Sequence, residues 1–307
     1  MKFVTFQRDG SARLGALVGT DTILDLQHAL PGADHLTAVS SSAFESLISL
    51  INAGEAGIQT ARELVKLAQA GSVTGATYKI SDVTILAPIP RPLKNVFCVG
   101  RNYVDHVNEG YRARGAEIKL PEYPQFFTKP PTAVIAHGAS IPRHAGLTEK
   151  LDYEIELALI IGRGGRDIPE EKAFDHIFGY TILNDVTARD LQRRHDQWFK
   201  GKGLDGTCPM GPWVVLRADI PDAQSLNIEL RVNNEVRQRS NTKHMIFSIP
   251  RIISELSQGL TLETGDIIAT GTPSGVGYAM DPPNLLKIGD VVTCQIEGIG
   301  TLENRVV

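Results

Sequence analysis

The stretch Leu151-Asp-Tyr-Glu-Ile-Glu-Leu-Ala-Leu-Ile-Ile161 decides how the chain is read. Tyr153, Ile155, Leu157, Leu159 and Ile161 alternate with Asp152, Glu154, Glu156, Ala158 and Ile160, which is the period of a β-strand. Residues i and i+2 share a face, so Glu154 and Glu156 point the same way, with Cα atoms about 6.6 Å apart. Ala158 and Ile160 follow on that face, which argues for burial. Two like charges at this spacing repel by about 2.5 kcal/mol at an effective dielectric of 20. Either one takes up a proton or a cation sits between them. An all-oxygen pair suits a hard ion, Mg²⁺, Mn²⁺ or Ca²⁺, better than zinc. The plainer reading of the same spacing is a solvated strand face.

Working outward, Gly179-Tyr-Thr-Ile-Leu-Asn-Asp185 reads as a second strand with a carboxylate at its end. Asp185 is either a third ligand or, with Asn184 and Thr187, a cap for a helix over 186–194, in which Gln192 lies. Upstream, the run Lys94–Val99 ends in Gly100-Arg-Asn-Tyr-Val-Asp-His-Val-Asn-Glu109. A helix after Tyr103 puts His106 and Glu109 at i and i+3, where the carboxylate fixes the imidazole tautomer as a general base requires. Gly110–Pro124 is polar and rich in Gly and Pro, the makeup of a lid expected to be mobile without ligand. Lys129 follows a short aromatic strand and precedes two prolines, placed to hold a substrate carboxylate. Gly201 and Gly203 flank Lys202 and permit close backbone approach to a ligand. Gly271-Thr-Pro-Ser-Gly-Val-Gly277 is not G-x-S-x-G, so Ser274 is a poor nucleophile, but the loop and Thr272 are able to donate hydrogen bonds to a carboxylate. Gly162-Arg-Gly-Gly165 does not match a dinucleotide loop.

The rest of the chain frames these residues. Lys2–Phe6 and Arg13–Val18 read as a hairpin, Ile23–Leu26 as a strand, and Phe44–Ile51 and Ile58–Leu67 as helices. Ala87-Pro-Ile-Pro-Arg-Pro92 is a stiff connector, so a boundary is placed at 87/88 between a small N-terminal α+β domain, 1–87, and a larger domain, 88–307. Ser225–Val232 and Glu235–Arg239 form a hairpin around Asn233-Asn234, and Ile246–Leu256 a helix with Pro250 in its first turn. With 307 residues, 42% hydrophobic and 21% charged, the composition is that of a globular protein. A net charge of −4 without a basic run argues against nucleic acid. Three scattered cysteines make no disulfide framework and fit a reduced, cytoplasmic setting. Neither an apolar signal core nor a membrane-length apolar run is visible.

Taken in order, Gly100-Arg-Asn-Tyr-x-x-His106-x-x-Glu109, Phe127-Thr-Lys129-Pro, Asp152-Tyr-Glu154-x-Glu156, Asn184-Asp185-x-x-x-Arg189-Asp190, Gly201-Lys202-Gly-x-Asp205 and Thr270-Gly-Thr272-Pro-x-Gly-Val-Gly277 resemble the fumarylacetoacetate hydrolase family. The match runs from about Pro88 to the C-terminus. The resemblance implies an α+β, mostly β fold with a mixed β-roll catalytic domain, usually a homodimer. It implies Mg²⁺ or Mn²⁺ on Glu154, Glu156 and Asp185, a water-activating dyad of His106 and Glu109, and Lys129, Lys202, Gln192 and Thr272 lining the site. A fourth carboxylate ligand has no convincing equivalent; Asp105 is the weak candidate. The leading expectation is hydrolysis of a carbon–carbon bond in a 2,4-dioxo acid of the acylpyruvate or fumarylpyruvate type, with a pyruvate enolate as leaving group. The alternative is a metal-dependent isomerase or decarboxylase acting on a 2-hydroxymuconate-type dioate or on oxaloacetate. A metal-stabilised binding module without catalysis is the third.

Overall fold

The computed structural model describes residues 1–32 and 38–307. Its central strand is Ile155–Ile161, buried on both faces. Ile155, Leu157, Leu159 and Ile161 enter one apolar core, while Ala158 and Ile160 enter another. Alternation therefore separates two cores rather than core from solvent, which explains the near-continuous apolar run. The expected single strand is interrupted at Tyr153-Glu154. Leu151–Asp152 pairs instead with Thr187–Ala188, and the Asn184 side chain accepts the Glu154 N–H at 3.0 Å, in place of a backbone partner.

Neighbouring strands extend this element into a large mixed sheet. Its order is Thr77–Lys79, Thr22–Asp25, Ser11–Val18, Lys2–Arg8, Cys208–Leu216, Ile177–Asn184, Ile155–Ile161, Ile267–Ala269, Val96–Gly100 and Gln125–Lys129. Most pairs are antiparallel; Ile267–Ala269 runs parallel to Val96–Gly100. Lys2–Arg8 bonds to Cys208–Leu216, so the sheet continues from the N-terminal strands into those beyond residue 88. A second sheet, ordered Glu235–Asn241, Asn227–Val232, Val291–Ile296 and Gly300–Arg305, packs its apolar face on the first core. Asn233 and Asn234 take φ of 51° and 69°, the left-handed conformation a two-residue hairpin turn requires.

The helices are few and peripheral. Phe44–Ile51 is not one helix: a 3₁₀ turn covers Ser41–Phe44, and a helix covers Leu47–Asn52 with Ser46 as its cap, accepting from Ser49 N. The capping serine is the break that the apolar spacing alone does not reveal. A longer helix, Gly54–Gln69, buries Ala61 and Leu64 against the second core. Ile249–Ser257 begins at a Ser248 cap with Pro250 in its first turn, as the sequence indicates. The three cysteines are free and buried, and burial pushes their thiols up, that of Cys208 to about 12. None is a thiolate nucleophile.

Candidate metal centre and active-site cavity

Ile155–Ile161 and Ile177–Asn184 run antiparallel, with Ile155 opposite Asn184 and Glu156 opposite Leu183. Asp185, just past the second strand, donates its N–H to the Glu154 carbonyl at 2.8 Å. This register brings the three carboxylates together: one oxygen from each of Glu154, Glu156 and Asp185 lies within 4.8 Å of the others, and all three residues are buried. Asp185 does not cap a helix. The helix Arg189–Arg194 starts four residues later, with Ala188 at its cap position.

Each carboxylate is held differently. Glu154 is ion-paired to Arg189 Nη2 at 2.7 Å and Lys202 Nζ at 2.8 Å. Asp185 is paired to Lys129 Nζ at 2.7 Å and Lys202 Nζ at 2.6 Å. Glu156 accepts a hydrogen bond from Gly271 N at 2.7 Å and has no cationic partner among the described residues. Burial raises the Glu154 carboxyl, but Lys202 and Arg189 outweigh it and hold its pKa at about 2. Burial pushes Glu156 well up, and the charges of Asp185 and Glu154 push it further. A buried carboxylate without a counter-charge, beside two more that present oxygens inward, is the donor set a hard divalent ion neutralises. The residues fit such an ion.

Lys129 is corrected by the structure. It is not among the residues that line the cavity described below. It is fully buried under Asp185, and its ammonium also donates to the Val186 and Lys202 carbonyls. It holds the Asp185 carboxylate from the side away from the cavity. Lys129→Met is expected to leave Asp185 buried without that partner and to cost about 3–5 kcal/mol of stability. Urea unfolding checks this; an unchanged midpoint would show that the pair contributes nothing. Gly201 and Gly203 are also reassigned. A Cβ on Gly201 would collide with the Gln192 backbone, and one on Gly203 with the Phe199 carbonyl and the Pro130 ring. They let chain pack on chain, not on a ligand.

Glu154 and Glu156 open onto a cavity of about 340 Å³, with Asp185 buried behind them. Lys202, Gln192, Thr272 and His106 line it. The helix Val104–Arg112 carries the dyad: His106 Nδ1 lies 2.8 Å from Glu109 Oε1. Glu109 Oε2 in turn accepts from Gly275 N at 2.8 Å. Gly275 has φ of 105°, and its Cα lies against the Arg237 carbonyl, so only glycine fits where the loop meets Glu109. Thr272 Oγ1 accepts from Gln238 Nε2 at 2.9 Å. Asp105 and Ser274 line a separate cavity with His244 and do not reach the carboxylate cluster.

Arg189 stands in one of the ordered motifs, and spacing assigns it no role. The structure makes it the bracket of the site. Its Nε donates to Asp152 Oδ2 at 2.9 Å, Nη1 to Gln192 Oε1 at 3.2 Å, and its guanidinium lies 4.5 Å from the Tyr278 ring. Asp152 also accepts from Gly277 N and Tyr278 N, tying the glycine loop to the acidic strand. Spacing shows that Arg189 and Gln192 share a helix face, but not that Asp152 meets them.

This arrangement matches known proteins. The family described as fumarylacetoacetate (FAA) hydrolase, C-terminal, matches residues 95–307. The chain belongs to the fumarylacetoacetate hydrolase family. Oxaloacetate tautomerase YisK of Bacillus subtilis (strain 168) is 46% identical over 308 residues, covering 100% of both chains. Among solved structures of the family, a fumarylacetoacetate hydrolase from psychrophilic Exiguobacterium antarcticum is 41% identical with a TM-score of 0.80, covering 100% of this chain and 99% of its own. A maleylpyruvate hydrolase from Sphingobium sp. SYK-6, in complex with manganese(II) ion and pyruvate, is 29% identical with a TM-score of 0.74 over the same shares. The mostly β mixed-sheet architecture is that of the family, and the protein is an enzyme of it. No helix among the described residues is long and apolar enough to cross a membrane.

Proposed function

We propose that the protein interconverts the keto and enol forms of a 2-oxo dicarboxylate such as oxaloacetate. The end-to-end likeness to an oxaloacetate tautomerase carries this reading, because it includes the N-terminal residues that the family match leaves out. Glu154, Glu156 and Asp185 would hold Mg²⁺ or Mn²⁺, whose Lewis acidity stabilises enolate charge. The chain's own groups supply the rest. Glu109 holds His106 through Nδ1, which leaves Nε2 to take a proton from carbon and return it. Lys202 spends two N–H bonds on Glu154 and Asp185 and keeps a third for a substrate oxygen. Gln192 and Thr272 orient the 2-oxo acid end. Gly110, in the helix Val104–Arg112, and Arg114 just past it line the cavity, which supports a lid role for the segment that follows.

Hydrolysis of an acylpyruvate is the second reading, favoured by the likeness to maleylpyruvate hydrolase and by a dyad able to activate water. The two differ in product. Ultraviolet absorbance follows enol loss from oxaloacetate, and a coupled assay follows pyruvate released from acylpyruvates. Faster enol–keto exchange in Mn²⁺ without acylpyruvate cleavage is expected. Pyruvate release without any effect on oxaloacetate would reject tautomerisation in favour of hydrolysis. We also propose a homodimer and a cytoplasmic location, in keeping with the family resemblance and the unlinked cysteines.

A further inference from the structure

The second sheet stands outside the lining of the cavity, yet one of its side chains reaches the glycine loop. Gln238, in the strand Glu235–Asn241, is fully buried and its amide is used at both ends. Oε1 accepts the Ile155 N–H at 3.0 Å. Nε2 donates to Thr272 Oγ1 at 2.9 Å and to the Pro273 carbonyl at 2.7 Å. Partner chemistry fixes which end is which. A backbone N–H only donates and a carbonyl only accepts, so the amide oxygen faces Ile155 and the nitrogen faces Pro273. Thr272 Oγ1 lies on the nitrogen side and therefore receives a hydrogen.

Backbone geometry explains why a side chain takes this place. Ile267–Ala269 pairs with Ala158–Ile160, and Thr270 N still reaches the Leu157 carbonyl at 3.0 Å. Gly271 N then turns to the Glu156 carboxylate, and the backbone ladder ends. The Gln238 amide supplies the next rung, between Ile155 and Thr272-Pro273. The strand that carries it is bent to do so. Leu230 pairs with Gln238 and Arg231 with Val236, which leaves Arg237 as the extra residue of a bulge beside Gln238. Such a bulge re-aims the side chain next to it.

Thr272 lines the cavity, and among the described residues its hydroxyl has no hydrogen-bond acceptor. A threonine hydroxyl has one hydrogen to give. With Gln238 donating to the oxygen, that hydrogen is left for a ligand. We propose that Gln238 is a positioning residue, which holds the Thr272 O–H as a donor to a carboxylate or enolate oxygen of the substrate. One buried amide thereby ties the strand that carries Glu154 and Glu156 to the polarity of a group on the opposite loop. The assignment rests on the reading that Thr272 orients a 2-oxo acid.

Gln238→Glu keeps the shape and the acceptor for the Ile155 N–H, but puts a carboxylate oxygen where the donor was. That oxygen takes the Thr272 hydrogen for itself. Kinetics are measured on oxaloacetate in Mn²⁺ at mildly alkaline pH, which keeps the new carboxyl ionised. Thr272→Val is expected to raise KM about tenfold with kcat little changed, the value of one hydrogen bond to a charged group. Gln238→Glu should raise KM by a similar factor, and the double variant no further, because both changes remove the same bond. The Mn²⁺-induced rise in melting temperature should match that of the wild type in all three. If Gln238→Glu does not fold, Gln238→Met enters the same cycle, with a smaller rise in KM that again does not add to that of Thr272→Val. An unchanged KM in the Gln238 variants, effects that multiply in the double variant, or a lost Mn²⁺ response would make Gln238 a support of the fold alone. Each overturns the proposal and leaves the 2-oxo acid reading standing. An unchanged KM in Thr272→Val, or a wild type without turnover of oxaloacetate, overturns both.

Discussion

Glu156→Gln is expected to abolish the response to divalent ions. Of the three clustered carboxylates it is the one without a cationic partner among the described residues, so its charge is the one an ion answers. Outer partners of metal ligands are worth roughly 10–100-fold in metal affinity, and loss of a ligand itself should exceed that. Turnover in Mg²⁺ or Mn²⁺ should fall by roughly 10²–10³ or more, as it does when one preorganised electrostatic stabiliser is removed. The apo protein should tolerate the change, because burial and two neighbouring carboxylates already disfavour the charge that is removed. Thermal melts separate the effects. Wild-type protein gains about 2.7 kcal/mol at a hundredfold excess of ion over Kd, and the variant should gain almost nothing. Full activity after exhaustive chelation, with equal ion-induced stabilisation in both proteins, would remove the metal from the account.

His106→Ala is expected to act on the chemistry alone. The imidazole is partly exposed at the cavity wall and touches Glu109, so its loss costs little stability. Proton transfer by a positioned histidine is worth roughly 10²–10⁴ in rate, and turnover should fall by that factor. The ion-induced rise in melting temperature should survive, because His106 supplies no ligand. Glu109→Gln keeps the side-chain shape and loses the carboxylate that holds Nδ1, so it should sit between the wild type and His106→Ala. Unimpaired enol–keto exchange in His106→Ala would assign the proton to another group.

Both experiments concern residues that a linear reading of the chain singles out. Glu154 and Glu156 are legible because a strand repeats every two residues, and His106 and Glu109 because a helix brings i and i+3 together. Lys129 misleads for the same reason. Its flanking prolines advertise a rigid, presented side chain, yet the sheet folds the Asp185 strand end and the Lys202 turn over it. The break at Tyr153-Glu154 is hidden too, since it depends on the side chain of Asn184, 30 residues away.

By itself, the order of residues determines the paired glutamates, the dyad, the mostly β class and, through the ordered motifs, the family. The glutamates and the dyad follow from backbone periodicity and spacing, which are local; the mostly β class comes with the family resemblance that the ordered motifs carry. The tertiary structure alone decides which charges meet. It pairs Glu109 with Gly275 across 166 residues and Asp152 with Tyr278 across 126. Electrostatic energy depends on distance and burial, and neither is a function of separation along the chain.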